Sequence, residues 1–80
     1  MGVKLLFFAQ CADWLAMREA EIALEKPMRV DQLLRSRPEL APLLDHAAIV
    51  KVAVNRTIAD FDAEVHNGDE VAFLPPVSGG

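Results

Sequence analysis

Arg18-Glu19-Ala20-Glu21-Ile22-Ala23-Leu24-Glu25 decides the fold, because this stretch can be read as helix or as strand. Glu and Ala favour helices. The apolar residues nevertheless alternate, with Ala20, Ile22 and Leu24 on one face and Glu19, Glu21 and Glu25 on the other. A period of two over so short a run predicts a strand with a solvated glutamate face. Upstream, Val3-Lys4-Leu5-Leu6-Phe7-Phe8-Ala9 predicts another strand, so the two form a hairpin. Its alternation puts Val3, Leu5, Phe7 and Ala9 on one face and Lys4, Leu6, Phe8 and Gln10 on the other. One face must be core, and Leu6 with Phe8 on the second hints that it too is covered. Residues 10–17, with Trp14, Leu15 and Met17, read as a connection of ambiguous conformation.

Downstream, Lys26-Pro27 ends the second strand, because proline offers the ladder no amide hydrogen. Val30, Leu33, Leu34 and Arg37 recur at helical spacing and predict the main helix over residues 30–37, stopped by Pro38. Arg29 stands where a capping Ser, Thr or Asp would serve better, and Asp31 in the first turn partly compensates. Leu40 to Leu44 predicts a short helical turn. Ile49-Val50-Lys51-Val52-Ala53-Val54 is β-branched and alternating, a strand. Asn55-Arg56-Thr57 reads as a turn, Ile58 to Val65 as a short extended piece, and His66-Asn67-Gly68-Asp69 as a turn with glycine at positive φ. Glu70 to Leu74 is the last strand. The order β-β-α-β-(β)-β describes an α+β domain with one main helix packed across a sheet face.

The 80 residues allow one domain. A domain this small buries only about 60% of the surface its unfolded chain exposes. That leaves little room for both a core and a deep catalytic pocket, so a carrier, a binding module or the smaller partner of a complex is expected. The net charge of −4 comes with scattered Lys and Arg and no basic stripe, which argues against nucleic acid. An acidic surface suits a basic protein partner. Cys11 is the sole cysteine, so no internal disulfide can form and a cytoplasmic setting is expected. The N-terminal apolar run is too short for a membrane span and lacks a signal-peptide cleavage pattern. No membrane association is expected.

The chemistry points to the other end. In Leu74-Pro75-Pro76-Val77-Ser78-Gly79-Gly80, the prolines terminate the strand and favour an extended exit from the sheet. Two glycines after them bury nothing, so a purely structural role is poor. A bare glycine tail can thread a narrow channel in another protein and present an unhindered carboxylate. The competing reading is a frayed terminus. Residues 1–76 are therefore expected to form the domain and 77–80 a flexible tail.

Three blocks carry a family resemblance that spans essentially the whole chain. They are Leu6-Phe7-Phe8-Ala9-Gln10, Val52-Ala53-Val54-Asn55, and Gly68-Asp69-Glu70-Val71-Ala72-Phe73-Leu74-Pro75-Pro76-Val77-Ser78-Gly79-Gly80. The chain resembles the small subunit of molybdopterin synthase, the MoaD family of ubiquitin-like β-grasp proteins. That resemblance implies a mixed sheet of about four to five strands under one main helix. It also implies a sulfur carrier without catalytic side chains of its own. By that resemblance, an E1-like partner would use ATP to adenylate the carboxylate of Gly80, and a sulfur donor would convert the glycyl-adenylate to a thiocarboxylate (1-thioglycine). The large synthase subunit would then accept the tail, and sulfur would pass to cyclic pyranopterin monophosphate in molybdenum cofactor biosynthesis. The family implies a heterotetramer, with two small subunits at opposite ends of a large-subunit dimer. Gly79 would permit threading. Phe8, Ile58 and Leu74, with Pro75, Pro76, Val77 and Ser78, would contact the large subunit. Relatives often carry a basic residue after the first block, where this chain has Cys11-Ala12-Asp13. Alternatives sharing the fold and tail are a carrier for thiamine-thiazole or another thiocarboxylate pathway, and a ubiquitin-like modifier joined through Gly80. A plain interaction module without tail chemistry is the remaining reading.

Other residues tempt less. Cys11 reads as a small packed residue rather than a sulfur carrier. His46 and His66 lie far apart without metal-ligand spacing and read as surface residues, so no metal is expected. Ser78 has no base nearby in sequence. Trp14 reads as a core or loop anchor.

Overall fold

A computed structural model of the chain describes residues 1–76. Its strands are β1 (Val3–Phe7), β2 (Glu19–Ile22), β3 (Met28–Arg29), β4 (Lys51–Val54), β5 (Thr57–Ala59), β6 (Glu64–Val65) and β7 (Glu70–Leu74). The helices are α1 (Gln10–Leu15), α2 (Val30–Arg35) and a 3-10 helix over Ala41–His46. Five strands form one mixed sheet in the order β2-β1-β7-β4-β5, and β3 pairs with β6 in a small second sheet. The centre of the decisive stretch is a strand: β2 runs antiparallel to β1, with Ala20 opposite Leu5 and Ile22 opposite Val3, and residues 23–25 lie beyond its end. The first and last strands are parallel neighbours, Leu5 beside Val71 and Phe7 beside Phe73.

Alternation sorts the sheet into two faces. Val3, Leu5 and Phe7 of β1, Val52 of β4, and Val71 and Phe73 of β7 are buried on the inner face. They form one cluster with Cys11 and Leu15 of α1, with Val30, Leu33 and Leu34 of α2, and with Leu40 and Leu43 around the 3-10 helix. The Phe7 and Phe73 rings stack at 5.5 Å between centroids. The expected helix across the sheet is thus α2, ending at Arg35 before Pro38 is reached. Arg37 is exposed.

The start of α2 shows how a poor cap is tolerated. Arg29 has no side-chain acceptor, so the free amide hydrogens find other partners. Val30 N donates to Ala63 O at 3.0 Å and Asp31 N to Phe61 O at 2.8 Å. Gln32 Oε1 accepts from Arg29 N at 3.1 Å, and Asp31 Oδ1 from Gln32 N at 2.9 Å. Asp31 also bridges Arg29 and Arg35. The helix is capped by a distant segment of chain, which the sequence pattern does not reveal.

The connection over residues 10–17, ambiguous from sequence, resolves into a helix over Gln10–Leu15. Its flanks lack ordinary caps: Ala9 has φ 48° and ψ −122°, and Ala16 is left-handed at φ 57°. Both conformations are unfavourable for a residue with a Cβ. Burial of Cys11 and Leu15, spaced i and i+4, holds the helix in place. The piece from Ile58 to Val65 also resolves differently, into β5 and β6 with a turn between. Thr57 belongs to β5, so the β4–β5 turn is Asn55-Arg56 alone, both at positive φ as two-residue hairpins require. Gly68 has φ 98°, as its turn demanded.

Candidate functional site

The outer face of the sheet is where the sequence-expected contact residues fall. Reading across the strands, Glu19 lies opposite Leu6, Leu6 beside Ala72, Ala72 opposite Ala53, and Ala53 opposite Ile58. Four apolar residues therefore line up across four strands, the two alanines central and the larger side chains outside. The neighbouring row toward the start of β7 is charged: Glu21, Lys4 and Glu70 are in register. The row toward its end holds Leu74 opposite Lys51. Polarity on this face thus falls toward the point where the chain leaves β7.

Ile58 is 68% exposed and Phe8 46%, while Leu6, Ala72, Leu74 and Pro75 are half-buried. Phe8 is tied to the exit by its own amide, which donates to Phe73 O at 3.1 Å. Directly after it, the strained Ala9 turns the chain into α1. Phe8, Leu74, Pro75 and Pro76 are consequently brought together, with Ile58 two strands from β7 on the same face. Val77, Ser78, Gly79 and Gly80 lie outside the described residues. Beside Phe8 an open cleft of about 510 Å³ is lined by Leu6, Phe8, Ala9, Gln10, Asp13 and Arg18, among others.

Some members of this surface escaped the sequence reading. Ala53 and Lys51 were legible in principle, since Val50, Val52 and Val54 alternate inward and leave the odd positions outward. Ile49, 48% exposed, precedes them. That Ala72 completes the row required knowing that β7 sits between β1 and β4.

Away from this face, Cys11 is fully buried and burial pushes its thiol pKa up. A protonated thiol in the core is a poor nucleophile. Trp14 lies on α1, and its ring stacks on His46 with centroids 3.6 Å apart, so His46 is a half-buried packing partner rather than a simple surface residue. His66 is exposed beside Glu64 and Asp69. Among the described residues no group of three or more His, Cys, Asp or Glu is placed to hold a metal ion. No helix among them is long and apolar enough to cross a membrane.

A mixed sheet carrying its helices on one face defines the class, the ubiquitin-like β-grasp. The chain superposes on the small archaeal modifier protein SAMP1 of Haloferax volcanii with a TM-score of 0.81, 22% identity and complete coverage of both chains. A chain of the complex of subunits 1 and 2 of molybdopterin-converting factor from Helicobacter pylori gives a TM-score of 0.64 at 21% identity, again with complete coverage. These likenesses establish the fold. The protein belongs to the ThiS family, whose match covers residues 5–80. It is 38% identical over 84 residues to the molybdopterin synthase sulfur carrier subunit of Escherichia coli, covering 98% of this chain and 99% of that protein.

Proposed function

We propose that this protein is the sulfur-carrier subunit of a molybdopterin synthase, working in the cytoplasm and catalytically silent on its own. The observation that carries the proposal is the placement of the outer apolar row. It runs over Leu6, Ala72, Ala53 and Ile58 and broadens through Phe8 and Leu74 toward the start of the Pro75-Pro76 segment. A partner seated there would receive residues 77–80 directly. The full-length likeness to a sulfur carrier subunit supports the same reading. The partner is the large synthase subunit, in a heterotetramer, and Phe8, Ile58, Leu74, Pro75, Pro76, Val77 and Ser78 form the contact.

In this reading the Gly80 carboxylate is a poor electrophile until an E1-like enzyme transfers AMP from ATP onto it, releasing pyrophosphate. A sulfide equivalent from the sulfur donor attacks the acyl carbon and AMP leaves, which yields the thiocarboxylate. Its sulfur is anionic at neutral pH and acts as the nucleophile toward cyclic pyranopterin monophosphate. Gly79 contributes the absence of a side chain, so the end can enter a narrow active site.

The test is an intact mass after incubation with ATP, the activating enzyme and a sulfur source. The expected gain equals replacement of one oxygen by sulfur, maps to Gly80 and vanishes when Gly80 is deleted. Subsequent loss of that sulfur to the pterin, dependent on the large subunit, separates this pathway from thiazole synthesis. Isopeptide conjugates to lysine in place of the thiocarboxylate would overturn the proposal in favour of a modifier.

A further inference from the structure

The apolar surface at the chain exit is bracketed by two cations that meet no carboxylate among the described residues. Lys51 stands opposite Leu74 on β4. Arg18 lines the cleft beside Phe8 on the other flank, and its carbonyl accepts from Phe7 N at 2.9 Å. A cation thus stands on either flank of Phe8 and Leu74: Lys51 opposite Leu74 on β4, and Arg18 in the cleft that Phe8 also lines. Among the described residues, Lys4, Arg29 and Arg35 each meet a carboxylate, whereas Arg18, Lys26, Arg37, Lys51 and Arg56 meet none; of these five, Lys51 and Arg18 are the two beside the exit surface. Asp13 lines the same cleft as Arg18 but is not paired with it. In a chain of net charge −4, a cation nevertheless stands on each flank of the apolar exit surface, with Asp13 sharing the cleft on the Arg18 side.

We infer that Lys51 and Arg18 are specificity-determining contacts that select a partner surface bearing carboxylates on both sides of an apolar socket. The inference rests on the proposed docking of the large subunit and names the charge pattern that subunit must present. Apolar contact at Phe8, Leu74 and Ile58 supplies area, and area alone discriminates poorly between hydrophobic surfaces. Charges at the rim reject surfaces of the wrong sign and speed correct encounters. The remaining surface of this acidic chain favours basic partners, so the two cations set the register of the complex.

The experiment measures association of the full chain with the large subunit from the same organism at about 50 mM and about 500 mM salt, where screening differs strongly. The variants are Lys51→Glu, Arg18→Glu, their combination, and the neutral Lys51→Gln and Arg18→Gln. The double reversal is expected to slow association about tenfold at low salt, with the neutral variants intermediate and all rates converging at high salt. Melting temperatures should match wild type, since both side chains are exposed. Wild-type association rates in the double reversal overturn the inference, as does a loss equal at both salt levels, which would indicate packing. If the wild-type chain fails to bind the large subunit at either salt, the proposed function falls and takes this inference with it. Normal wild-type binding with silent reversals removes the inference alone.

Discussion

Leu24 and Asn67 exchange two hydrogen bonds of 2.8 Å, although they lie 43 residues apart. Leu24 N donates to Asn67 Oδ1, and Asn67 Nδ2 donates to Leu24 O. The side-chain amide thus imitates a strand neighbour for the segment after β2 and ties it to the turn before β7. Gly68 N, next in the chain, donates to Gly2 O at 3.0 Å, so the same turn also holds the start of β1. Replacing Asn67 by Ala should destabilise the fold by about 1–2 kcal/mol, two modest bonds lost at an exposed site. Asn67→Asp keeps only the acceptor and should fall between. Urea denaturation of the three proteins checks the order. Equal stability of Asn67→Ala and wild type would remove the clamp from the account.

Asp69 makes a second clamp with a pH signature. Its Oδ1 accepts from Asn55 Nδ2 at 3.0 Å and its Oδ2 from His66 N at 2.7 Å. Hydrogen bonding from Asn55, then from the His66 amide, holds its carboxyl pKa below the ordinary 3.8. The unfolded chain therefore takes up this proton first on acidification. The stabilisation is complete well above pH 3.8 and is lost as pH falls through the lower folded value. Asp31, lowered chiefly by its hydrogen bond from Arg29, acts in the same direction. Asp69→Asn should flatten the acid limb of a stability-against-pH curve, and an unchanged limb would count against this assignment.

Cys11 should be inert while the protein is folded. Its thiol is fully buried and its pKa raised, so a thiol-specific reagent can reach it only through an opening of the structure. Labelling under native conditions is expected to be at least about a hundredfold slower than in denaturant, given opening energies of several kcal/mol. Rapid native labelling would reopen a sulfur-handling role for this residue.

Ile58 separates stability from docking. It is two-thirds exposed on edge strand β5, so Ile58→Asp should change folding stability by only about 0.5 kcal/mol. If the outer face docks the large subunit, the same change should weaken binding by about tenfold or more, because it buries a charge in an apolar contact. Calorimetric titration against that subunit, beside thermal melts, reads both effects. Full affinity in the variant would place the contact elsewhere.

Sequence periodicity located most elements because each signal was local. Glu70–Leu74 alternates cleanly between Gly68 and Pro75, and β7 has those bounds in the structure. The helix α1 was missed because its flanks are alanines in left-handed or otherwise strained conformations, with no capping residue to announce it. The i, i+4 pair of Cys11 and Leu15 was the available signal. The site was partly legible: alternation set Phe8 and Leu74 off the core faces, and Ile58 came from the family resemblance, while the glycine tail, read from its own residues, lies outside the described residues.

By itself, the sequence determined which residues point inward along each strand and where chain direction turns. Those properties follow from side-chain alternation, proline and glycine, all acting within a few residues. Only the tertiary structure decided that β7 lies between β1 and β4. That placement sets Leu6 beside Ala72, Ala72 opposite Ala53 and Ala53 opposite Ile58, and leaves Lys51 and Arg18 flanking the exit. Periodicity fixes the face a residue occupies but carries no information about its neighbour across the ladder. Strand order is chosen by how the whole apolar surface is buried at once.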